Sequence, residues 1–504
     1  MPRALLPLFA LRLALAQAPA TGSLDLYLRS EAKPTAARVY LTDAAGKPYL
    51  VPGAVTYSRR GEDHSVVDQY ATVPLAPGPY RIRAEKGPEF RPVEQTVVVT
   101  PGEPTRVDLE IPRFYNLAEL GWYSGDLHIH RNPEELPLIA RAEELHVAPA
   151  ITRHLGGARP PAQPYPATPF IPADSTHFVS VQNQEVERLV QGHGAVVLLN
   201  TPEAADANLT TLYPMEVDFC RRARALGGFV DAEKPFWKNI PVSIALGAID
   251  AVGIVNNHFH PRAVMLDAEK WGSMDRDKPV YHTIAGFAQW MMDLYYSFLD
   301  CGFRLPVSAG SASGVMPVWP GYERVYVHLS APLTYQQWFQ DLKAGRSVAT
   351  NGPLLSVYLD GQPPGAEVEF EGPTSHTIVI DAHSQDRLDR VEIVFNNQVL
   401  RSFPGGGNAV FRTALNLTIA EPGWLVVRGF EPVGATLRYA HSSPFYFVRN
   451  GKLPAKRAAA RRWADYIQKL AKSVDPALYP SREAYDKAQS TFREAAAVYH
   501  RLAQ

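Results

Sequence analysis

Two histidines two residues apart, His128 and His130 in Gly125-Asp126-Leu127-His128-Ile129-His130, have types and spacing that suggest chemistry. Side chains two apart on a strand point to one face, so both imidazoles can meet one metal ion. Alone, such a motif fits chance placement on a strand as well as it fits a ligand pair. Further histidines raise its weight: His154 after Ala150-Ile151-Thr152-Arg153, His193 in Gln191-Gly192-His193-Gly194, and His258 and His260 after Ile254-Val255-Asn256-Asn257. Each adjoins an apolar, strand-like run, and in α/β barrels catalytic groups converge at strand ends. Glu185 and Glu187 precede His193. A carboxylate can bridge two cations, and imidazole suits zinc, iron, manganese or nickel.

Other polar residues carry less. Asp231, Glu233 and Lys234, in FVDAEKPFW, follow a predicted helix and either line a pocket or form a surface ion-pair cluster. His441, in YAHSSPFYF, reads as structural. No Gly-rich phosphate loop and no Gly-x-Ser-x-Gly elbow occurs, which leaves nucleotide binding and serine hydrolysis without support.

These residues need elements to position them. The 504 residues suggest about three domains. From 19 to 113, LDLYLRS, ARVYLTDA, YRIRAEK and QTVVVT alternate apolar and polar residues and predict a β-sandwich similar to carboxypeptidase-regulatory-like modules. From 114 to 354, β-rich runs alternate with helical ones over about 215–226 and 284–299, which predicts an α/β domain, with a barrel as one form of it, holding most of the histidines. From 355 to 450 a second β-sandwich is expected, with Asn396-Asn397 as a hairpin turn. From 451 to 504, Trp463, Ile467 and Leu470, then Tyr485, Phe492 and Tyr499, predict a helical hairpin that packs back on the body. A dimerising coiled coil lacks enough heptads, and nothing else specifies an oligomeric state.

Residues 1–18 read as a signal peptide, with Arg3, an apolar Leu5–Leu15 run broken by Arg12, and small residues near Ala16 and Ala18. Export to the periplasm or beyond is the expectation. No later run is apolar and long enough for a membrane span. A net charge of −1, from 50 basic and 51 acidic residues, offers no field for nucleic acid. Cys220 and Cys301 form no thiolate zinc cluster; they are buried thiols or a single bridge.

GWYSGDLHIH, AITRHL, QEVERLVQGHGAVVLLN, DAVGIVNNHFHP, LPVSAGSASG and GRSVATNGPLL occur in the order seen in PHP-domain hydrolases. More narrowly, the chain resembles CehA/McbA-type metallohydrolases in their exported, multidomain branch. The resemblance implies a PHP-like distorted β/α barrel flanked by the two sandwiches, with a helical tail. It implies metal ligation by His128, His130, Glu185 (with Glu187 as fallback), His193, His258 (His260 less so) and His154. The sequence departs from the pattern at Thr152-Arg153-His154, where the family has Thr-Asp-His, and at Gly310-Ser311-Ala312-Ser313-Gly314, where it has Gly-Ser-Asp-x-His. Three metals are then not expected; Arg153 opposes a further cation near His154. One or two divalent ions (zinc, manganese or iron) remain, in the sets His128, His130, Glu185 and Glu185, His193, His258. The implied activity is hydrolysis of a small ester, amide or carbamate, or else a phosphoester, with Glu185 on the metal and Arg153 stabilising developing negative charge. The alternative is a non-catalytic metal- or ligand-binding protein on a degenerate scaffold of the same type.

Overall fold

The computed structural model describes residues 21–59, 62–156, 164–188, 193–205 and 209–504. The proposed signal peptide at 1–18 lies outside the described residues. The chain is β-rich, built of several sheets, with seven α-helices and a helical C-terminal tail among the described residues.

The N-terminal residues form two facing sheets. Gly22–Ser30 pairs with Pro104–Glu110 and Tyr70–Leu75, and Ala36–Asp43 lies between Glu62–Asp68 and Gly78–Glu85. The alternation seen in the sequence sends Leu24, Leu26, Leu28, Val39, Leu41, Ile82, Val107 and Leu109 into one core.

The central residues follow a curled path. In spatial order the strands are Trp122–Gly125, Val147–Leu155, Phe178–Arg188, Gly194–Leu199, Phe229–Ala232, Ala251–Asn256 and Val307–Gly310. The last returns to the first: Leu127 N donates to Ala309 O at 3.1 Å, and Ile129 bridges both Ala150 and Ser313. Gly194–Leu199 runs antiparallel to both its neighbours, while the other neighbouring pairs on this path are parallel. Helix Glu216–Ala225 ends before Gly227, whose φ of 82° supplies the left-handed turn after the helix. Helix Ile284–Leu299 fills the range its apolar pattern predicts and buries most of its residues.

The same sheet continues through Trp122–Gly125, Arg324–His328 and Ser347–Thr350 into Tyr439–Ser442, so the central and C-terminal β regions share hydrogen-bonded strands. A three-stranded sheet of Leu354–Leu359, Thr374–His383 and Val410–Ile419 covers part of this extension through a common core. Asn396 and Asn397, with φ of 50° and 69°, turn the hairpin between Arg390–Phe395 and Gln398–Pro404. Helices Arg457–Ser473 and Arg482–Leu502 pack back on the body: Trp463 Nε1 donates to Ser297 Oγ at 3.0 Å and Tyr499 OH to Pro241 O at 3.1 Å. Cys220 and Cys301 are free, buried thiols. Among the described residues no helix is long and apolar enough to cross a membrane.

Candidate metal centre

Six segments at or just after the C-terminal ends of strands of the curled path bring side chains to one cavity of about 110 Å³. They supply His128 and His130, His154, Glu185 and Glu187, Glu233 and Lys234, His258, and Ala312. The convergence follows from strand direction: parallel strands deliver their C-terminal ends to one face.

Local alternation selects which residues enter. His128 and His130 point one way while Ile129 is buried in the apolar cluster behind them. Asp126 holds this segment in place. Its carboxylate accepts from His128 N at 3.0 Å, Ser311 N at 3.0 Å and Gly321 N at 2.7 Å, and from Ser311 Oγ. Gly310 must lack a side chain, because a Cβ there would meet His128 Cβ at 2.5 Å. In Phe178–Arg188, Glu185 and Glu187 share a face. His154 stands opposite Glu185 in the parallel ladder.

The result is two three-residue groups that share Glu185: His128, His130, Glu185 and His154, Glu185, Glu187. In each, the candidate ligand atoms lie within 4.8 Å of one another. His128 Nε2 is 3.0 Å from His130 Nε2, and Glu185 Oε2 lies 3.3 Å from His128, 3.0 Å from His130 and 3.3 Å from His154. Bonds of about 2.0–2.2 Å to one ion place neighbouring ligand atoms about 2.8–3.6 Å apart, so the spacing fits a transition metal. Glu185 Oε2 is also buried without an aligned hydrogen bond, which leaves it available to a cation. His154 Nε2 meets Glu187 Oε2 at 2.8 Å.

The electrostatics agree. Burial alone would depress the His128 imidazole, but the Glu185 and Glu233 carboxylates push it up to about 10. Burial would raise the Glu185 carboxyl, yet the charges of His128 and His154 hold it well below the usual range. Positive charge is therefore stabilised on His128 and His154 beside Glu185, while burial pushes the His130 ring down. Glu233 Oε2 lies 2.8 Å from His128 Nδ1, so Nε2 is the ring nitrogen turned toward Glu185.

Three residues expected at the site lie outside both groups. His193 does not join the cluster. Gly194–Leu199 is reversed, and its Val197 is the partner of Glu185, so His193 lies four residues farther along, about 13 Å at strand rise. Its ring lines a separate cleft beside Trp463 and Tyr466. Glu216 accepts from Asn239 Nδ2; Asn239 Oδ1 therefore faces His193 Nδ1, at 2.9 Å, and accepts its proton. His258 lines the cavity but belongs to neither three-residue group; its Nδ1 bonds to Met265 O at 2.8 Å. Burial and the Lys234 charge push its ring down to about 3, so it stays neutral. Arg153 alternates away from His154, does not line the cavity, and places its charge near the Tyr165 hydroxyl.

His154, beside which Arg153 was expected to oppose a further cation, has two carboxylate neighbours, Glu185 and Glu187. Glu187, held in reserve in the sequence reading, is one of them. Glu233 and Lys234 are buried and line the cavity rather than a surface. The signal for them was the strand-like FVDA run, which ends at Ala232 immediately before Glu233. His260 does not line the cavity.

No protein-family model matches the chain, and no curated protein matches it. Among solved structures it is similar to GBS52, a minor pilin of Streptococcus agalactiae, over 19% of this chain and 46% of that one, at 21% identity and a TM-score of 0.17. It is also similar to the TIE protein of Bacillus anthracis over 22% of this chain and 18% of that one, at 15% identity and a TM-score of 0.15. The chain thus spans less than half the length of either protein, and likenesses of this size assign neither fold nor function.

Proposed function

We propose that this chain is a metal-dependent hydrolase on a PHP-type distorted β/α barrel of the CehA/McbA-like kind, exported from the cell, with a small ester, amide, carbamate or phosphoester as substrate. The observation that carries this reading is Glu185 Oε2, buried without an aligned hydrogen bond among three histidine nitrogens at 3.0–3.3 Å.

A bound divalent ion would supply a water of lowered pKa and polarise the scissile oxygen. The protein's own part is to hold and orient. His128, His130 and Glu185 would take one ion, and His154 and Glu187 a second that shares Glu185. Glu233 fixes the His128 ring through Nδ1. Asp126 fixes the backbone of His128 and Ser311 together. Burial of the cluster strengthens each of these interactions. Arg153 is left out of the chemistry, since it does not line the cavity.

The test is elemental analysis of the full chain after reconstitution with zinc, manganese or iron, followed by assay on small esters, amides, carbamates and phosphoesters. Metal-dependent turnover that Glu185→Gln abolishes is the expected result. Failure to bind any metal would replace this reading with a ligand-binding protein on a degenerate scaffold. N-terminal sequencing of protein from the native envelope checks export, with a start near Gln17 to Pro19 expected.

A further inference from the structure

The metal cavity contains one cationic side chain that ligation does not use. Lys234 follows strand Phe229–Ala232, and its side chain is only 5% exposed. Its ammonium lies 2.7 Å from Glu233 Oε1 and 5.2 Å from the centre of the Trp237 ring. Glu233 is heavily committed: its other oxygen faces His128 Nδ1 at 2.8 Å, and Oε1 also accepts from Trp237 Nε1 at 3.0 Å. An ammonium has three donors. Among the described residues Glu233 is its one charged partner, so donors remain for an acceptor inside the cavity. A buried lysine with spare donors is costly unless something receives them.

The mouth of the cavity differs in chemistry. Trp271 and Val315 are exposed by 41% and 44%, and the half-buried Met265 lines the cavity with them. The interior volume of about 110 Å³ is well below the several hundred Å³ that enclose a whole drug-sized ligand. It admits a small head group and leaves the remainder of a molecule at the apolar rim.

We propose that Lys234 receives an oxyanion, and that the substrate is a small amphiphilic anion whose charged head lies on Lys234 and whose apolar substituent rests on Trp271 and Val315. This deepens the hydrolase reading by naming the substrate class of the same site. The head is carboxylate-like or phosphate-like, chemistries that share anionic acceptor oxygens.

The experiment is calorimetric titration of the zinc-loaded full chain with inorganic phosphate, phenylphosphonate and benzoate, none of which is turned over. Wild type, Lys234→Met and Trp271→Ser are compared, with zinc content measured for each. Lys234→Met is expected to weaken the anions by about tenfold or more at unchanged zinc content. Trp271→Ser is expected to weaken phenylphosphonate and benzoate several-fold and leave phosphate unchanged. The difference between the two aryl anions distinguishes a phosphate-like from a carboxylate-like head. Equal affinity in wild type and Lys234→Met overturns the assignment of Lys234, and equal affinity in Trp271→Ser overturns that of the rim.

Should Lys234→Met lose zinc or fail to fold, a crystal structure of the zinc-loaded wild type with phenylphosphonate decides. An anion oxygen about 3 Å from Lys234 Nζ is expected. An anion remote from Nζ overturns the proposal. Turnover is not read in any arm. A chain that binds anions through Lys234 but hydrolyses nothing keeps this inference and loses the hydrolase reading; one that hydrolyses yet ignores Lys234→Met does the reverse.

Discussion

His154 stands directly across the parallel ladder from Glu185, with its Nε2 3.3 Å from Glu185 Oε2. This register joins the two candidate ligand groups, because Glu185 is the member common to both. It also makes Glu185 the residue on which both groups depend.

Glu185→Gln is therefore expected to empty both positions. Each group keeps two of its three ligands and loses the shared negative charge, and two ligands rarely retain a catalytic ion. Competition with a chelator should show metal affinity falling by at least about a hundredfold. Retention of one ion at wild-type affinity would mean that the groups do not share Glu185.

His154→Ala separates the groups. With two ions in the wild type, this variant should bind one, held by His128, His130 and Glu185. His193→Ala should bind as many as the wild type, since His193 lines a different cleft. Elemental analysis of both variants checks this. A loss of metal in His193→Ala but not in His154→Ala would restore the ligand set expected from the sequence resemblance.

Ala312 lines the candidate metal cavity with a φ of 50°. Aspartate visits this left-handed region more readily than alanine does. Ala312→Asp should therefore add an anionic group at the cavity without backbone cost, and metal affinity should rise about tenfold. Turnover should fall if the new carboxylate takes the place of substrate. Chelator competition on the folded variant measures the first effect. Unchanged affinity would show that position 312 does not reach the ion.

Glu144 ties the N-terminal sheets to the central body. Its carboxylate lies 3.0 Å from Lys86 Nζ and 2.5 Å from Arg113 Nη2. Burial would raise its pKa, but these two charges hold it down at about 2, below its ordinary 4.5. A carboxyl depressed on folding contributes stability above its unfolded pKa, and that contribution is lost as pH falls through the folded value. Wild type should thus lose up to about 3 kcal/mol between pH 5 and pH 2 that Glu144→Gln does not lose. Urea unfolding of both proteins across that range gives the difference. Parallel curves would show that Glu144 is not depressed.

Much of the local structure was legible in the sequence. Period-two patterning placed Gly22–Ser30, Ala36–Asp43, Gly78–Glu85 and Val93–Val99, and the apolar run of 284–299 matches its helix residue for residue. The Asn396-Asn397 turn follows from the tolerance of asparagine for positive φ. His128 and His130 share a face because a two-residue spacing does so on any extended chain. Spacing alone does not say which faces meet. The reversal of Gly194–Leu199 carries His193 away from the cluster, and nothing in its apolar run encodes direction. The register of Val147–Leu155 against Phe178–Arg188 brings His154 to Glu185 and Glu187, and turns Arg153 away. The closure of the curled sheet brings Glu233 behind His128, 2.8 Å from its Nδ1. Local sequence determines side-chain alternation because that rests on backbone geometry within a few residues. Strand direction, register and closure depend on hydrogen bonds between segments far apart in the chain, so only the tertiary structure decided which ligands converge.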